Sequence, residues 1–393
     1  MKLAILSDFH LGYERFSEDA YSQAKEALEL AAEKADALVI PGDIFDFRAP
    51  KPEVIAQAIN LFRDMKSKMM RARVVDYVGE REIYTDIPIL AIPGTHERRA
   101  VNSENAVDLL GLAGLLVNAS EAMVTLEKNG EKVAVYGLGG VSEEKLGQAL
   151  ADLAPKPKDG MFSVFFFHQS VYELLPFSSE FIKLADLPQG FDLYVNGHIH
   201  RRFEGKVHGS PFLIPGSTVL TQLKDGEQEE KGIFIFDTQS REYDFHRIHS
   251  RKFVVKAIDV SNAEDLKEKI SSAIESVAAS SDKPVVRIVL KGKTKGMQAD
   301  IDLHSIVKRF EGKAYVEISK DRTEPGDDVH VAELRSGMLE NASIRDFGIG
   351  IFTEKLKENA YKGSVGPEAL FDVLSIDKKE EAIKRAMALC FDR

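Results

Sequence analysis

Cysteine is almost missing from this chain: Cys390 is the only one in 393 residues. A lone thiol closes no intrachain disulfide and builds no zinc-thiolate site, so a disulfide scaffold and a structural zinc module are both excluded. Tryptophan is absent altogether, which decides nothing. No apolar run approaches the roughly 18 residues that a membrane span needs. The first residues lack the basic stretch and long apolar core of a secretory signal. A basic excess is missing too. The net charge of −11 argues against a protein that coats nucleic acid over its whole surface, while local basic patches remain open to it. Together these absences point to the cytoplasm.

What is present is an ordinary globular composition, 44% hydrophobic and 29% charged, in a chain long enough for two or three domains. Short apolar runs read as buried strands at Leu3–Leu6, Ala37–Ile40, Ile87–Ile92, Lys132–Tyr136, Ser163–Phe167 and Asp192–Val195. Helical periodicity covers Asp19–Lys34 and Glu53–Met69. The apolar stripe of the second, with Ile55, Ala58, Phe62, Met65 and Met69, suits either the core or a second copy of the chain. Pro211–Ile214, Gly232–Asp237 and Glu242–Ile248 are further β segments. Strands that first alternate with helices and then turn hairpin-like suggest two packed sheets flanked by helices. After Ser250 comes a strand-helix-strand-helix-strand unit, in which Ser261-Asn262-Ala263-Glu264 has the form of a capping box. A polar stretch and short amphipathic helices follow.

The chemistry gathers after those strands. Asp8 and His10 stand two apart, and on extended backbone two such residues face the same way. Asp43 follows Pro41-Gly42; His96 lies in Pro93-Gly94-Thr95-His96-Glu97; His168 ends a strand; His198 and His200 lie in Gly197-His198-Ile199-His200. Loops at strand ends are where sites are built. Imidazole with carboxylate and no thiolate suits manganese, iron, zinc or cobalt. So many donors exceed the needs of one ion with an open position. Two ions sharing a bridging carboxylate would use them, the arrangement suited to displacement at phosphorus.

In that order, D-x-H, G-D-x-x-D, G-x-H-[DE], a lone His after a strand, and G-H-x-H resemble the calcineurin-type metallophosphoesterase superfamily. Within it, Asp8-Phe9-His10-Leu11-Gly12-Tyr13, Gly42-Asp43-Ile44-Phe45-Asp46, Phe167-His168-Gln169 and Pro215-Gly216-Ser217 resemble the Mre-eleven / SbcD nucleases of double-strand-break repair. The resemblance implies an α/β fold: a two-sheet αββα sandwich over residues 1–250, a small α+β capping domain over 251–320, a linker over 321–342, and a helical partner-binding tail over 343–393. It implies two Mn²⁺ per subunit, with Asp8, His10, Asp43 and His200 on one ion and Asp43, His168 and His198 on the other. His96 would be the general acid. One position departs: the family has Asn where this chain has Thr95, so a weaker second site is expected.

The implied activity is 3′-to-5′ exonuclease and single-strand endonuclease action on broken DNA ends. The implied partners are a second copy, through the helices near 53–70, and a coiled-coil ATPase of the Rad-fifty / SbcC type, through the tail. A nucleoid-associated cytoplasmic location follows. Candidate DNA contacts are Tyr13, Arg15, Arg48, Lys51, Arg98, Arg99, Arg201 and Arg202, basic or aromatic residues on loops beside the acidic site. The alternatives are a small-substrate phosphodiesterase or phosphatase of the same superfamily, and a DNA-end scaffold weakened in catalysis by Thr95.

Overall fold

The computed structural model describes the chain to Lys320, apart from positions 70, 99–102, 142, 176–181, 224, 261–265, 282 and 293–302. Beyond Lys320 only positions 353, 366, 368, 369 and 373 are described. The expected linker, all but those five positions of the expected tail, the capping box at Ser261 and the candidate contact Arg99 therefore lie outside the described residues. By internal packing the chain divides into one unit, Met1–Ser319, and a second, Lys320–Arg393.

Two sheets form the body of the first unit. One has six strands in the order Tyr243–Arg247, Gly232–Asp237, Lys2–Ile5, Ala37–Ile40, Ile89–Ala91 and Val117–Asn118. The other has seven, in the order Phe203–Val207, Ser210–Ile214, Leu193–Asn196, Phe162–Phe167, Glu131–Leu138, Ala122–Lys128 and Arg73–Val78. The central strands are parallel within each sheet.

The alternation of a strand explains how two sheets and their helices share one chain. Leu3, Ile5, Ala37 and Val39 pack between the sheets, against Val133, Val135, Val164 and Phe166. Their neighbours Ala4, Leu6, Leu38 and Ile40 face the other way, onto the helices Ser17–Lys34 and Pro52–Lys68. On the second sheet Phe165 and Phe167 point away from the first, into a cluster with Tyr194, Phe191 and Leu146 of the helix Glu143–Leu153. Strands buried on both faces read as continuous apolar runs, which is how they are written here. The result is the αββα sandwich.

In the stripe of the helix Pro52–Lys68, Ala58, Phe62 and Met65 are buried in the chain's own core, as is Met69 just beyond it. What that helix leaves outward is mainly Glu53, Gln57, Asn60, Arg63 and Asp64. No helix among the described residues is long and apolar enough to cross a membrane.

A three-stranded sheet, Phe253–Asp259, Val285–Lys291 and Tyr315–Lys320, follows with the helices Leu266–Ala278 and Leu303–Arg309. Its first two strands run parallel. It is joined to the body where Phe253 and Val285 pack on Phe16, Ala20 and Leu220. Arg251 forks onto both oxygens of Asp19, and Arg15 reaches Glu317 at 3.1 Å.

Candidate metal centre

Five strands of the two sheets release their chains at one end of the sandwich. From the first sheet, Lys2–Ile5 leads to Asp8 and His10, Ala37–Ile40 to Asp43, and Ile89–Ala91 to Thr95 and His96. From the second, Phe162–Phe167 leads to His168, and Leu193–Asn196 to His198 and His200. The turns are tight. Asp8, His10, Asp43 and His198 all have left-handed backbone, with φ of 54°, 47°, 50° and 68°. Non-glycine residues seldom adopt that region, and when they do it is commonly at functional sites. Glycine supplies the remaining room. A Cβ on Gly94 would overlap Asp43, and one on Gly197 would overlap the carbonyl oxygen of Pro41.

These loops bring the donors into two sets that share one residue. Donor atoms of Asp8, His10, Asp43 and His200 lie within 4.8 Å of one another, and so do those of Asp43, His168 and His198. In the first set His10 Nε2 is 3.1 Å from His200 Nε2, and His200 Nε2 is 3.7 Å from Asp8 Oδ1. In the second, His168 Nε2 is 3.2 Å from Asp43 Oδ2. Asp46 forms a third group with His10 and His96.

The residues fit divalent cations on a direct observation. Asp8 Oδ2, Asp43 Oδ2 and His168 Nε2 are buried and have no hydrogen-bond partner. Buried polar atoms of a folded chain are normally satisfied, so three orphans at one point mark a place for an ion. The outer nitrogens agree. His168 Nδ1 lies 2.6 Å from the Pro41 carbonyl, an acceptor only, so it donates there and leaves Nε2 as the nitrogen that can ligate. His10 Nδ1 lies 2.9 Å from Asp46 Oδ1, which holds that ring with Nε2 toward the other donors.

Electrostatics in the cluster are set by burial and by carboxylates packed against imidazoles. Burial raises the Asp8 carboxyl, with Asp43 adding to the rise. Burial also pushes Asp43 up, but the adjacent His168 reverses this and the net direction is down. Burial lowers His168, yet Asp43 and Asp8 outweigh it and raise the imidazole to about 9. His198 is lowered to about 4 by burial and by His168.

A model of the calcineurin-like phosphoesterase family matches residues 1–202, a span that holds every one of these donors. The chain belongs to that family. Similarity extends further along it. The DNA double-strand break repair protein Mre11 of Saccharolobus solfataricus is 25% identical over 340 residues, 81% of this chain and 82% of that protein. The double-strand break repair protein MRE11 of Encephalitozoon cuniculi is 27% identical over 70% of this chain, and that of Homo sapiens 25% identical over the same share. This chain spans 52% of the first and 45% of the second.

At the second donor set of this phosphoesterase, Thr95 Oγ1 lies 3.2 Å from His198 Nδ1. His96 is exposed at the rim, its ring edge-on to His10 at 4.9 Å. Its backbone N–H donates to Asp43 Oδ1 at 3.0 Å, and its Nδ1 to the Asp46 carbonyl at 2.7 Å.

Two residues that sequence reasoning quoted without a role are active in this geometry. Asp46, the second Asp of G-D-x-x-D, orients His10 through its side chain and His96 through its backbone. Glu97, the acidic residue of G-x-H-[DE], is fully buried and accepts N–H groups from Phe45 and Gly94. Burial and the nearby Asp43 push its carboxyl up to about 8.

The expected DNA contacts fall into different surroundings. The Tyr13 hydroxyl turns inward, donating to the Thr221 carbonyl at 2.7 Å. Arg15 is engaged with Glu317, and Lys51 faces Glu14 at 3.6 Å. Arg202 lies over the Phe245 ring at 4.3 Å and faces Glu204 at 3.6 Å. Arg201 and Arg48 are exposed and Arg98 is half-buried.

Proposed function

We propose that this chain is a manganese-dependent DNA nuclease that processes double-strand break ends. The observation that carries the reading is the pair of donor sets sharing Asp43, at the strand ends of a phosphoesterase. Similarity over four fifths of the chain to a protein named for double-strand break repair supports the choice of DNA as substrate. Asp8, His10, Asp43 and His200 would hold one ion; Asp43, His168 and His198, with Thr95, would hold the second. Such ions supply electrophilic stabilisation of a phosphodiester and acidify water for attack.

The chain's own residues account for the rest. Asp43 and Asp8 would supply the negative charge that holds the ions. His96 stands at the open rim with Nδ1–H committed to the Asp46 carbonyl, which leaves Nε2 as the nitrogen that would meet a substrate. It would pass an Nε2 proton to the leaving sugar oxygen as the P–O bond breaks and the oxygen of water, its proton given up to solvent, bonds to phosphorus. The exposed Arg201 and Arg48 give the phosphate backbone sequence-independent contacts. We also retain a second copy of the chain at the helix Pro52–Lys68 and a coiled-coil ATPase at the tail as the expected partners. Exonuclease action from 3′ ends and endonuclease action on single strands are the expected modes.

The test is degradation of end-labelled duplex DNA with and without Mn²⁺, in wild type and His96→Ala. The expected result is Mn²⁺-dependent shortening that falls about 10²–10⁴-fold in His96→Ala, with calorimetric Mn²⁺ binding retained. Hydrolysis of an aryl phosphodiester with DNA left intact would replace this reading with a small-substrate phosphodiesterase. An unchanged rate in His96→Ala would remove His96 from the chemistry.

A further inference from the structure

Behind His200, on the side away from the other donors, lies a buried ion pair. Glu227 and Lys231 are each 4% exposed, with Nζ 3.8 Å from Oε1. Burying two charges is costly unless hydrogen bonds occupy their remaining valences. Here they do, and both groups lead to His200. Lys231 Nζ donates to the His200 carbonyl at 3.1 Å and to Ser217 Oγ at 2.9 Å. Glu227 accepts backbone N–H groups from Thr221, Gln222 and Leu223, and the Thr221 hydroxyl at 2.9 Å. The same hydroxyl oxygen meets His200 Nδ1. Tyr13, three residues past His10, braces the Thr221 carbonyl from the other side.

The direction of this relay follows from counting protons. Glu227 faces only donors: three backbone N–H groups, a hydroxyl and an ammonium. It is therefore an acceptor, and the one hydroxyl proton of Thr221 goes to it. Reversing that proton toward His200 would leave two acceptor oxygens facing each other at 2.9 Å. Thr221 Oγ1 thus accepts from His200 Nδ1–H. Nε2 is left with its lone pair, aimed at Asp8 and His10.

We propose that Glu227 and Lys231, acting through Thr221 and the His200 backbone, are positioning residues of the metal centre that hold His200 as the Nδ1–H tautomer with Nε2 presented as a donor. The proposal rests on the metal-centre reading for its purpose, but the tautomer belongs to the metal-free protein and is measured separately. Orienting partners of ligating histidines commonly change metal affinity 10–100-fold when removed.

The experiment is ¹⁵N NMR of metal-free, ¹⁵N-histidine-labelled protein, with the His200 signals identified by their loss in His200→Asn. It is paired with calorimetric Mn²⁺ titration. Wild type is expected to show His200 protonated at Nδ1 and bare at Nε2. Thr221→Val keeps the shape and removes the relay. It is expected to mix the tautomers and weaken Mn²⁺ binding about 10–100-fold, whereas Thr221→Ser preserves both. Glu227→Gln is expected to shift both readouts in the same direction as Thr221→Val, which stands on its own if the Gln variant does not fold. Wild-type His200 protonated at Nε2, or a Thr221→Val protein with unchanged tautomer and affinity, overturns the proposal. If the tautomer shifts as expected but wild type binds no Mn²⁺, the positioning of His200 stands and the metal-centre reading falls.

Discussion

Glu97→Ala probes how the two rims of the site are held together. Glu97 is 0% exposed, and each of its oxygens takes one backbone N–H: Oε1 from Phe45 at 2.8 Å, Oε2 from Gly94 at 2.7 Å. Phe45 lies two residues past Asp43, and Gly94 immediately precedes Thr95. One side chain therefore ties the Asp43 turn to the loop that carries Thr95 and His96. Truncation to alanine leaves two buried N–H groups without an acceptor, at about 1–3 kcal/mol each. With the void left behind, the expected loss is about 4 kcal/mol. Glutamine keeps one carbonyl acceptor and presents an amide N–H₂ to the other N–H, so Glu97→Gln is expected to cost about 1–3 kcal/mol. Urea denaturation of the metal-free protein, followed by circular dichroism and compared at constant slope, measures both. A loss below about 1 kcal/mol for Glu97→Ala would refute the argument, because it would mean the two N–H groups find other partners at little cost.

Other expectations follow from the same geometry. Thr95→Asn places a longer carboxamide beside His198, and calorimetry should show tighter binding of the second Mn²⁺ with faster nuclease action; unchanged affinity would count against Thr95 as a weak ligand. Gly94→Ala drives a Cβ into Asp43, which should lower stability by about 1–3 kcal/mol and weaken metal binding; a wild-type denaturation midpoint and affinity would show that the turn relaxes freely. His168 is held up to about 9 in the metal-free protein, by Asp43 against the effect of burial. It is therefore protonated at neutral pH and must shed that proton to ligate. Metal affinity should rise as pH rises toward 9, by about tenfold per unit for one released proton, and calorimetry in buffers of different ionisation enthalpy should register the release.

Much of the candidate site was legible in the sequence because each candidate donor lies within a few residues after a short apolar run. A strand buried on both faces writes itself as consecutive Leu, Ile, Val and Phe, and the polar residue that breaks the run marks the strand end. Asp8, Asp43, His168 and His198 were placed that way, and so were the strands that carry them. Less regular elements were not. Arg73–Val78 is an edge strand with a register shift between Val74 and Asp76, so its burial pattern lacks clean alternation. The helix Ala106–Leu112 has only seven residues, too short for periodicity to stand out.

The sequence by itself determined which residues are candidate donors, that they lie at strand ends, and that Thr95 departs from the expected Asn. Only the tertiary structure decided how they meet. Asp8, His10 and Asp43 come from one sheet and His168, His198 and His200 from the other, and the sharing of Asp43 exists only where the two sheets are packed face to face. The supports behind the donors were equally beyond local reading. Glu97 reaches back to Phe45 and Glu227 reaches back to Thr221, and what each supports depends on loops that converge only in the folded chain. Hydrogen bonds of this kind obey distance and direction in space and leave no period in the sequence.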